Sequence, residues 1–342
     1  MPGLINCHVH LVMDSGPEVM KGFASRTSDE SLLYAVTNAG SMLRAGFTTV
    51  RDCGGKEWEI IALRDAISAR RISGPTIMSC GPALRISGGH ASGLSGDGSV
   101  AFRAMAREVL AHRADFVKVM ATGGLTADGR SLGPQQMFLD ELREACQVAH
   151  SAGKTVSAHA HGLPGIRNCV KAGIDSIEHC TCLDEETAGA MAEAGSFLVP
   201  TFTAYSVMAR KGLESGVAAP LVDWARRIYD VKLSRYCHAL EAGVKIAFGT
   251  DAGSTINAHN DVVTEAEEMV STGMKPIDVI RSLTSTAAEL LQIQSDAGTI
   301  AEGKMADLIL LDSNPLEDVS ALGHVRLVMQ RGQVVHSEGD TL

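Results

Sequence analysis

The sequence predicts an α/β fold, a (β/α)₈ barrel of the TIM type followed by a small C-terminal β appendage. The 342 residues, 45% of them hydrophobic, are enough for one barrel of roughly 250 residues and an appendage. Thirty-five glycines and only 4% aromatic residues are typical of a chain with many short loops between strands and helices. In addition, β-rich runs alternate with helical patterns along the first 285 residues. We therefore expect one large core.

Eight β-rich runs supply the predicted barrel strands. Each run is short and leads into a loop, and a helical pattern follows most of these loops. The runs are GLINCHVHL from about residue 3, FTTVRD from 47, PTIMSC from 75, DFVKVMA from 115, TVSAHA from 155, DSIEHC from 175, SFLVPT from 196 and KIAFGTD from 245. Strands separated by helices should lie parallel and be joined by crossover connections.

The helical pattern over 28–46 carries its own start and stop signals. Ser28 can cap the first turn, and Gly46 can take the left-handed conformation that ends the helix. Further helices are predicted for WEIIALRDAISARRI, FLDELREACQVAHSAG and the stretch from about 217 to 243. After about residue 290 two β-rich runs follow without a long helix between them. We therefore assign 1–290 to the barrel and 291–342 to the C-terminal strands of an incomplete β-sandwich.

Charge and cysteine usage narrow the function classes. The net charge of −10, without any long cluster of Lys and Arg, argues against nucleic acid or an anionic membrane as a partner and favours a small molecule. Eight scattered cysteines in a chain of this size favour reduced thiols and a cytoplasmic location. The first residues lack the basic segment of a signal peptide, and no run of 18 apolar residues occurs.

Polar residues interrupt the apolar runs near their C-terminal ends, where barrel active sites lie. His8 and His10 are two residues apart, so both side chains should point to the same side of the first strand. Each residue also has a simpler explanation when taken alone: core histidines, a snorkelling lysine, or a helix cap. Together they favour a metal site. The predicted ligands are His8, His10, Lys118, His159, His179 and Asp251.

Lys118 is the unusual member of this set. A cationic ammonium among histidines could not bind metal, whereas a buried lysine that reacts with carbon dioxide becomes a carbamate, which is a bridging carboxylate. We predict two divalent ions roughly 3.5–4 Å apart. The ligand types suit zinc, and manganese, iron or cobalt would fit the same geometry. His8, His10 and Asp251 would hold the more buried ion and His159 and His179 the more exposed one, with N6-carboxylated Lys118 shared. Asp251 would also move the proton from the attacking water to the leaving nitrogen.

These motifs resemble the amidohydrolase superfamily, specifically the binuclear branch with a carboxylated lysine. The resemblance covers almost the whole chain and includes PGLINCHVHL, TTVRDCGG, ISGGHASG, DFVKVMATGG, VSAHAHG, SIEHC, FGTDAG, GTIAEGKMADLILLD and NPLEDV. They are similar to imidazolonepropionase-like and prolidase-like members. That group implies hydrolysis of a dipeptide or an N-acyl amino acid, with release of a C-terminal amino acid, as in Xaa-Pro or Xaa-Arg/Lys carboxypeptidases and ochratoxin-hydrolysing enzymes. We also expect a homo-oligomer.

The resemblance suggests where the substrate carboxylate binds. The candidates are His90 in GGHASG, His161 in HAHG and, more weakly, Tyr205. His90 could equally be a surface residue, and His161 could orient a metal ligand. We expect His259 to be exposed.

Three further expectations concern neighbouring residues. Cys180 and Cys182 should be small buried hydrophobic residues, although a thiolate ligand is conceivable. Arg51 and Asp52 should form a structural ion pair with each other. The remaining histidines should be structural: His112, His150, His238, His324 and His336.

The chain departs from this family in one respect. Members usually carry β-strands before the PGLI segment, so we expect a truncated chain whose C-terminal strands expose unpaired edges and an apolar face.

One alternative function is a mononuclear deaminase or imidazolone-type hydrolase, which would not need Lys118. The other is a non-catalytic barrel subunit, which should lack part of the ligand set.

Overall fold

The computed structural model describes residues 1–124 and 132–338. The strands are β1 (Leu4–Val9), β2 (Phe47–Asp52), β3 (Thr76–Ser79), β4 (Ala83–Arg85), β5 (Gly93–Ser95), β6 (Val117–Met120), β7 (Val156–Ala160), β8 (Ser176–His179), β9 (Phe197–Val199), β10 (Leu308–Leu311), β11 (Val325–Gln330) and β12 (Gln333–Ser337). Seven of the eight predicted barrel runs are strands, namely β1 to β3 and β6 to β9. The short strands β4 and β5 were not predicted.

Helices alternate with these strands, as predicted. They are α1 (Val19–Ser25), α2 (Ser28–Arg44), α3 (Glu59–Ser68), α4 (Gly98–Ala111), α5 (Leu139–Ser151), α6 (Leu163–Ala172), α7 (Glu185–Ala194), α8 (Thr203–Lys211), α9 (Ala219–Glu241), α10 (Val263–Ser271), α11 (Pro276–Ser282) and α12 (Ser285–Leu290). The cap of α2 is Thr27 rather than the predicted Ser28, because the Thr27 hydroxyl accepts from the Glu30 amide in a capping box. Gly46 does have a positive φ, +95°.

Two parallel sheets carry the site, with strand orders β1-β2-β3 and β5-β4-β6-β7-β8-β9. Backbone hydrogen bonds connect them on both sides. The Asp115 amide donates to the Ser79 carbonyl (2.8 Å), while the segment after α9 lies between β9 and β1, where the Ala247 amide donates to Leu198 (3.0 Å) and the Cys7 amide to Phe248 (2.8 Å). The result is a TIM-barrel-like α/β fold.

The eighth predicted run, from residue 245, is bridged rather than fully paired. Isolated bridges join Ile246 to Leu198 and Ala252 to Val9. A regular ladder does not continue because the Phe248 amide donates to the Ser282 carbonyl at the end of α11 (2.9 Å), outside both neighbouring strands. The segment nevertheless brings Asp251 to the same end of the fold as His8, and the Asp251 amide donates to the His8 carbonyl (2.9 Å).

The appendage is an antiparallel sheet of order β10-β11-β12. Contrary to our expectation, the β10 edge is partly paired: Pro2 forms a bridge with Leu308, and the Gly3 amide donates to the Asp307 carbonyl (2.8 Å). The three N-terminal residues run beside β10 and so use the backbone groups that we expected to be free. Leu310 and Val334 are exposed, as predicted for an apolar face.

Two sequence expectations about the whole chain can be examined in the structure. Each of the eight cysteines is free, as predicted for reduced thiols. Within residues 1–124 and 132–338, no helix has both the length and the apolar character needed to cross a membrane.

Candidate metal centre

The six predicted ligands line one cavity, and five of them fall into two clusters. The ligand atoms of His8, His10 and Asp251 all lie within 4.8 Å of one another. A second cluster with the same spacing contains His159 and His179, and also His161, which we had considered a substrate-binding residue. All of these side chains, together with Lys118, line one cavity.

In the first cluster, Asp251 faces two imidazole nitrogens. Its Oδ1 lies 3.4 Å from His8 Nε2 and 3.2 Å from His10 Nε2. The opposite nitrogens are held elsewhere: His8 Nδ1 is 2.7 Å from Glu178 Oε2, and His10 Nδ1 donates to the Gly54 carbonyl at 3.2 Å. Because Nδ1 carries the proton, each Nε2 can offer its lone pair to a cation.

The second cluster has similar support. His179 Nδ1 lies 2.7 Å from Thr201 Oγ1, whose own hydroxyl donates to the Pro200 carbonyl, so the threonine oxygen accepts from His179. Nε2 of His179 is then free to bind a cation. Nε2 of His159 is buried and has no hydrogen-bond partner within the described ranges. The ring centroids of these two histidines are 4.7 Å apart.

The burial of Lys118 is the feature of this site that is most difficult to explain without a bound ligand. The residue is only 1% exposed, and its Nζ has no hydrogen-bond partner in the part of the chain that the structure describes. Burial, and next the charge of Lys118, lower the pKa of His8 to about 4. A buried, unpaired ammonium costs several kcal/mol, roughly. The donor set fits a cation-binding site, and the Nζ of Lys118 lies in the same cavity as these donors.

The backbone is strained at the strand ends that carry these residues. His179, Thr201 and Asp251 have φ values of 69°, 53° and 59°, in the left-handed region that non-glycine residues seldom adopt. Each such residue costs about 1–3 kcal/mol, which the surrounding contacts must offset. Strain of this kind is typical of functional sites, and the side chains of His179 and Asp251 line the cavity.

Glu178 is the residue that sequence reasoning missed. It is fully buried, its Oε2 accepts from His8, and its Oε1 accepts from Arg51 (2.7 Å), Ser157 (2.8 Å) and Ser176 (2.8 Å). Burial alone would raise the pKa of Glu178, but Arg51 and the other partners outweigh it and hold the pKa far below its usual range. The available signal was an acidic residue inside the apolar run SIEHC.

The expected ion pair between Arg51 and Asp52 is wrong. Successive side chains of a strand point in opposite directions, so Arg51 reaches Glu178 across the interior while Asp52 accepts from the Leu11 and Gly54 amides (2.8 and 3.0 Å). Burial raises the pKa of Asp52 to about 6.

The three substrate-binding candidates also reach the cavity. The His90 ring stacks on His159 at 4.4 Å between centroids, and the Tyr205 hydroxyl lies 3.3 Å from His161 Nε2. His161 Nδ1 is 2.8 Å from Thr181 Oγ1. Apolar side chains complete the lining, among them Met13, Met20, Met208 and Trp224.

His259 corrects another expectation. It is 6% exposed rather than on the surface, because the loop after residue 251 folds back and places His259 Nε2 3.2 Å from the His10 carbonyl.

Cys180 is buried beside Met191, as expected for a small hydrophobic residue, and Cys182 is half-buried.

A TIM-barrel-like fold with two histidine clusters near the strand ends defines the class of the protein as an α/β barrel whose site could hold metal. The chain belongs to the amidohydrolase family, whose model matches residues 1–335. The resemblance to the amidohydrolase superfamily that was inferred from the motifs is thereby confirmed.

Named relatives refine this assignment. Ochratoxinase from Aspergillus niger is 29% identical over 361 residues, covering 96% of this chain and 73% of the relative. A Xaa-Pro dipeptidase solved with methionine in its active site has a TM-score of 0.89 and 32% identity, covering 98% of this chain and 86% of that one. A prolidase complexed with N-methylphosphonate-L-proline has a TM-score of 0.90 and 31% identity, covering 99% and 87%. The chain is thus a prolidase- and ochratoxinase-like hydrolase acting on C–N bonds.

Proposed function

We propose that this protein is a binuclear metal-dependent amidohydrolase that releases a C-terminal amino acid from a dipeptide or an N-acyl amino acid. The family supports metal-dependent hydrolysis of amide or peptide bonds. The two-metal centre, the modified lysine and the substrate are our inference. The observation that carries them is the buried Nζ of Lys118, which shares a cavity with two histidine clusters and has no hydrogen-bond partner within residues 1–124 and 132–338.

N6-carboxylation of Lys118 would explain why its buried Nζ has no hydrogen-bond partner among the described residues. It would replace a cation by an anionic carboxylate, which would remove the conflict between Lys118 and a cation held by the histidines and add a carboxylate to the ligand set. One divalent ion, zinc by ligand type, would be held by His8, His10 and Asp251, and the other by His159 and His179. When bound, the two ions would activate a water and polarise the substrate carbonyl.

Asp251 is suited to move the proton. Burial raises its pKa, but the close contacts of its carboxylate with His10 and His8 outweigh burial and hold the pKa below its usual value. The side chain is therefore a carboxylate at neutral pH and can accept a proton from the attacking water, then deliver it to the leaving nitrogen.

The substrate carboxylate would bind beside the second cluster. Tyr205 has a hydroxyl to donate, and His90 and His161 present imidazoles to the same cavity. The proline analogue and the methionine found in the two related structures are both amino-acid ligands, which supports an amino-acid leaving group here. His161 could instead complete the second metal cluster, since its ligand atom lies within 4.8 Å of those of His159 and His179.

One alternative has a specific observation behind it. Imidazolonepropionase from Salinispora arenicola is 29% identical over 210 residues, covering 58% of this chain and 46% of the relative. A mononuclear hydrolase of cyclic amides would leave Lys118 without a role, so we favour the binuclear peptidase or amidase. The presence of both clusters likewise disfavours a non-catalytic subunit.

A substrate panel tests the proposal. Purified protein, prepared with zinc and bicarbonate, is assayed against Xaa-Pro, Xaa-Arg and Xaa-Lys dipeptides, N-acyl amino acids and a cyclic amide, before and after treatment with a chelator. We expect hydrolysis of at least one dipeptide or N-acyl amino acid, its loss on chelation and its return with zinc. Turnover of the cyclic amide alone would favour the imidazolone-type alternative, and activity insensitive to chelation would contradict metal dependence.

A further inference from the structure

Lys232 is a buried lysine that the proposed chemistry does not use. It lies on α9, is 2% exposed, and its Nζ donates to the backbone carbonyl of His179 at 2.9 Å. The Phe202 and Tyr205 rings lie 5.3 and 5.7 Å from the same nitrogen. Lys232 therefore approaches a candidate metal ligand from behind, outside the group of residues that line the cavity.

His179 needs such support because of its backbone. Both His179 (φ 69°) and Cys180 (φ 49°) are left-handed, so the chain leaves β8 in a tight and unfavourable turn. The Cys180 amide still pairs with β7 through the Ala160 carbonyl (3.0 Å). The carbonyl of His179 receives its hydrogen bond from Lys232, which fixes the peptide plane next to the ligand.

A second buried residue, Glu265, holds the chain segment that contacts the His179 ring. The carboxylate of Glu265, on α10, accepts from the amides of Phe202 (2.9 Å) and Thr203 (2.7 Å) and from the Thr203 hydroxyl (2.7 Å). These residues directly follow Thr201, whose hydroxyl oxygen accepts from His179 Nδ1. Lys232 thus fixes the backbone of His179, and Glu265 fixes the segment that orients its ring.

We infer that Lys232 and Glu265 form a brace that positions His179 as a metal ligand. This inference rests on the proposed metal centre and adds two positioning residues to it. Burying a charge is costly, and the buried Nζ of Lys232 donates to the carbonyl of a candidate metal ligand. The presence of a lysine at this position therefore points to a role in the site. Partners that orient metal-binding histidines typically change metal affinity by about 10–100-fold when they are removed.

The test compares metal binding by three variants and the wild-type protein. Lys232→Met removes the donor and keeps the chain length, Lys232→Arg keeps a donor and the charge, and Glu265→Gln removes the charge of the second residue. The matched control is Lys245→Met, at an exposed lysine paired with Glu289. Zinc affinity is measured by chelator competition at fixed pH, the cobalt(II) absorption spectrum reports the ligand geometry, and thermal unfolding of the metal-free protein reports the fold.

We expect Lys232→Met to bind one of two metal equivalents at least about tenfold more weakly, with an altered cobalt spectrum. Lys232→Arg should restore binding to within a few-fold of wild type, Glu265→Gln should weaken the same equivalent, and Lys245→Met should change nothing. The brace is refuted if Lys232→Met binds both equivalents like wild type, or if both equivalents weaken in parallel with the stability of the metal-free protein. If Lys232→Met does not fold, wild-type binding by Glu265→Gln overturns the inference. A wild-type protein that binds fewer than two equivalents would refute the proposed function itself.

Discussion

Replacing Glu178 by Gln should damage both stability and metal binding. The carboxylate of Glu178 is fully buried and accepts from His8, Arg51 and two serines. A glutamine has nearly the same shape but no charge, and only its carbonyl oxygen can accept hydrogen bonds, because the NH2 group that replaces the second oxygen is a donor. The variant therefore leaves the Arg51 guanidinium, itself 1% exposed, without a charged partner.

The size of the effect follows from this burial. Removing one member of a buried ion pair costs about 3–5 kcal/mol, a large part of the roughly 5–15 kcal/mol that stabilises a typical domain. Loss of the partner that holds His8 Nδ1 should also weaken metal binding about 10–100-fold. Glu289→Gln is the control, because its pair with Lys245 is about half exposed and such pairs contribute roughly 0–1 kcal/mol.

Urea unfolding of the metal-free proteins measures this difference. The pKa of Glu178 is lowered in the folded state, so its stabilisation is fully present above the unfolded pKa of about 4.3 and is lost as the pH falls through the lower folded pKa. The gap between wild type and Glu178→Gln should be constant from pH 6 to 8 and shrink below about pH 4. A gap under about 1 kcal/mol at pH 7 would show that Arg51 does not depend on Glu178.

Three further predictions concern pH, catalysis and substrate binding. Burial lowers the pKa values of His8, His90 and His259 to about 4, so the unfolded chain binds more protons than the folded chain between pH 6.5 and 4. The metal-free protein should therefore lose stability as the pH falls through that window. A urea midpoint that stays constant from pH 7 to 4.5 would contradict this prediction. Asp251→Asn should lower kcat by about 10²–10⁴-fold, because the amide cannot accept the proton; steady-state kinetics on the best substrate, with metal content checked, would refute this role if kcat were unchanged. Tyr205→Phe should weaken binding of the substrate carboxylate by about 1.5–3 kcal/mol, roughly a ten- to hundredfold rise in KM, and an unchanged KM would exclude Tyr205 as a carboxylate ligand.

Much of the fold was predictable because buried parallel strands have a simple pattern. Seven of the eight runs are strands, and the positions of His8, His159 and His179 near strand ends and of Lys118 within a strand follow directly from them. The strands β4 and β5 have only three residues each, too few for a periodic signal. They depend on Gly93, where a Cβ atom would lie 2.0 Å from the Ala83 carbonyl oxygen, a close approach that only the folded chain reveals.

The site was predicted only as far as each residue could be assigned to a strand end. Glu178 and Arg51 are 127 positions apart in the chain, so nothing local showed that they meet. The same is true of His259, which reaches the His10 carbonyl across 249 positions, and of Lys232, which belongs to a helix pattern that appears ordinary in sequence. These residues support the ligands through long-range contacts, which periodicity cannot detect.

We propose a binuclear centre in which the two metal ions share a carboxylated Lys118. The most direct test is the metal-to-protein ratio of the wild-type protein beside Lys118→Ala, both prepared with zinc and bicarbonate and both checked for an intact fold by circular dichroism. The exposed residue Lys171 provides the control variant Lys171→Ala. We predict two zinc ions per chain in the wild type and the control and at most one in Lys118→Ala. Two ions in all three proteins, or one in the wild type, would contradict this account.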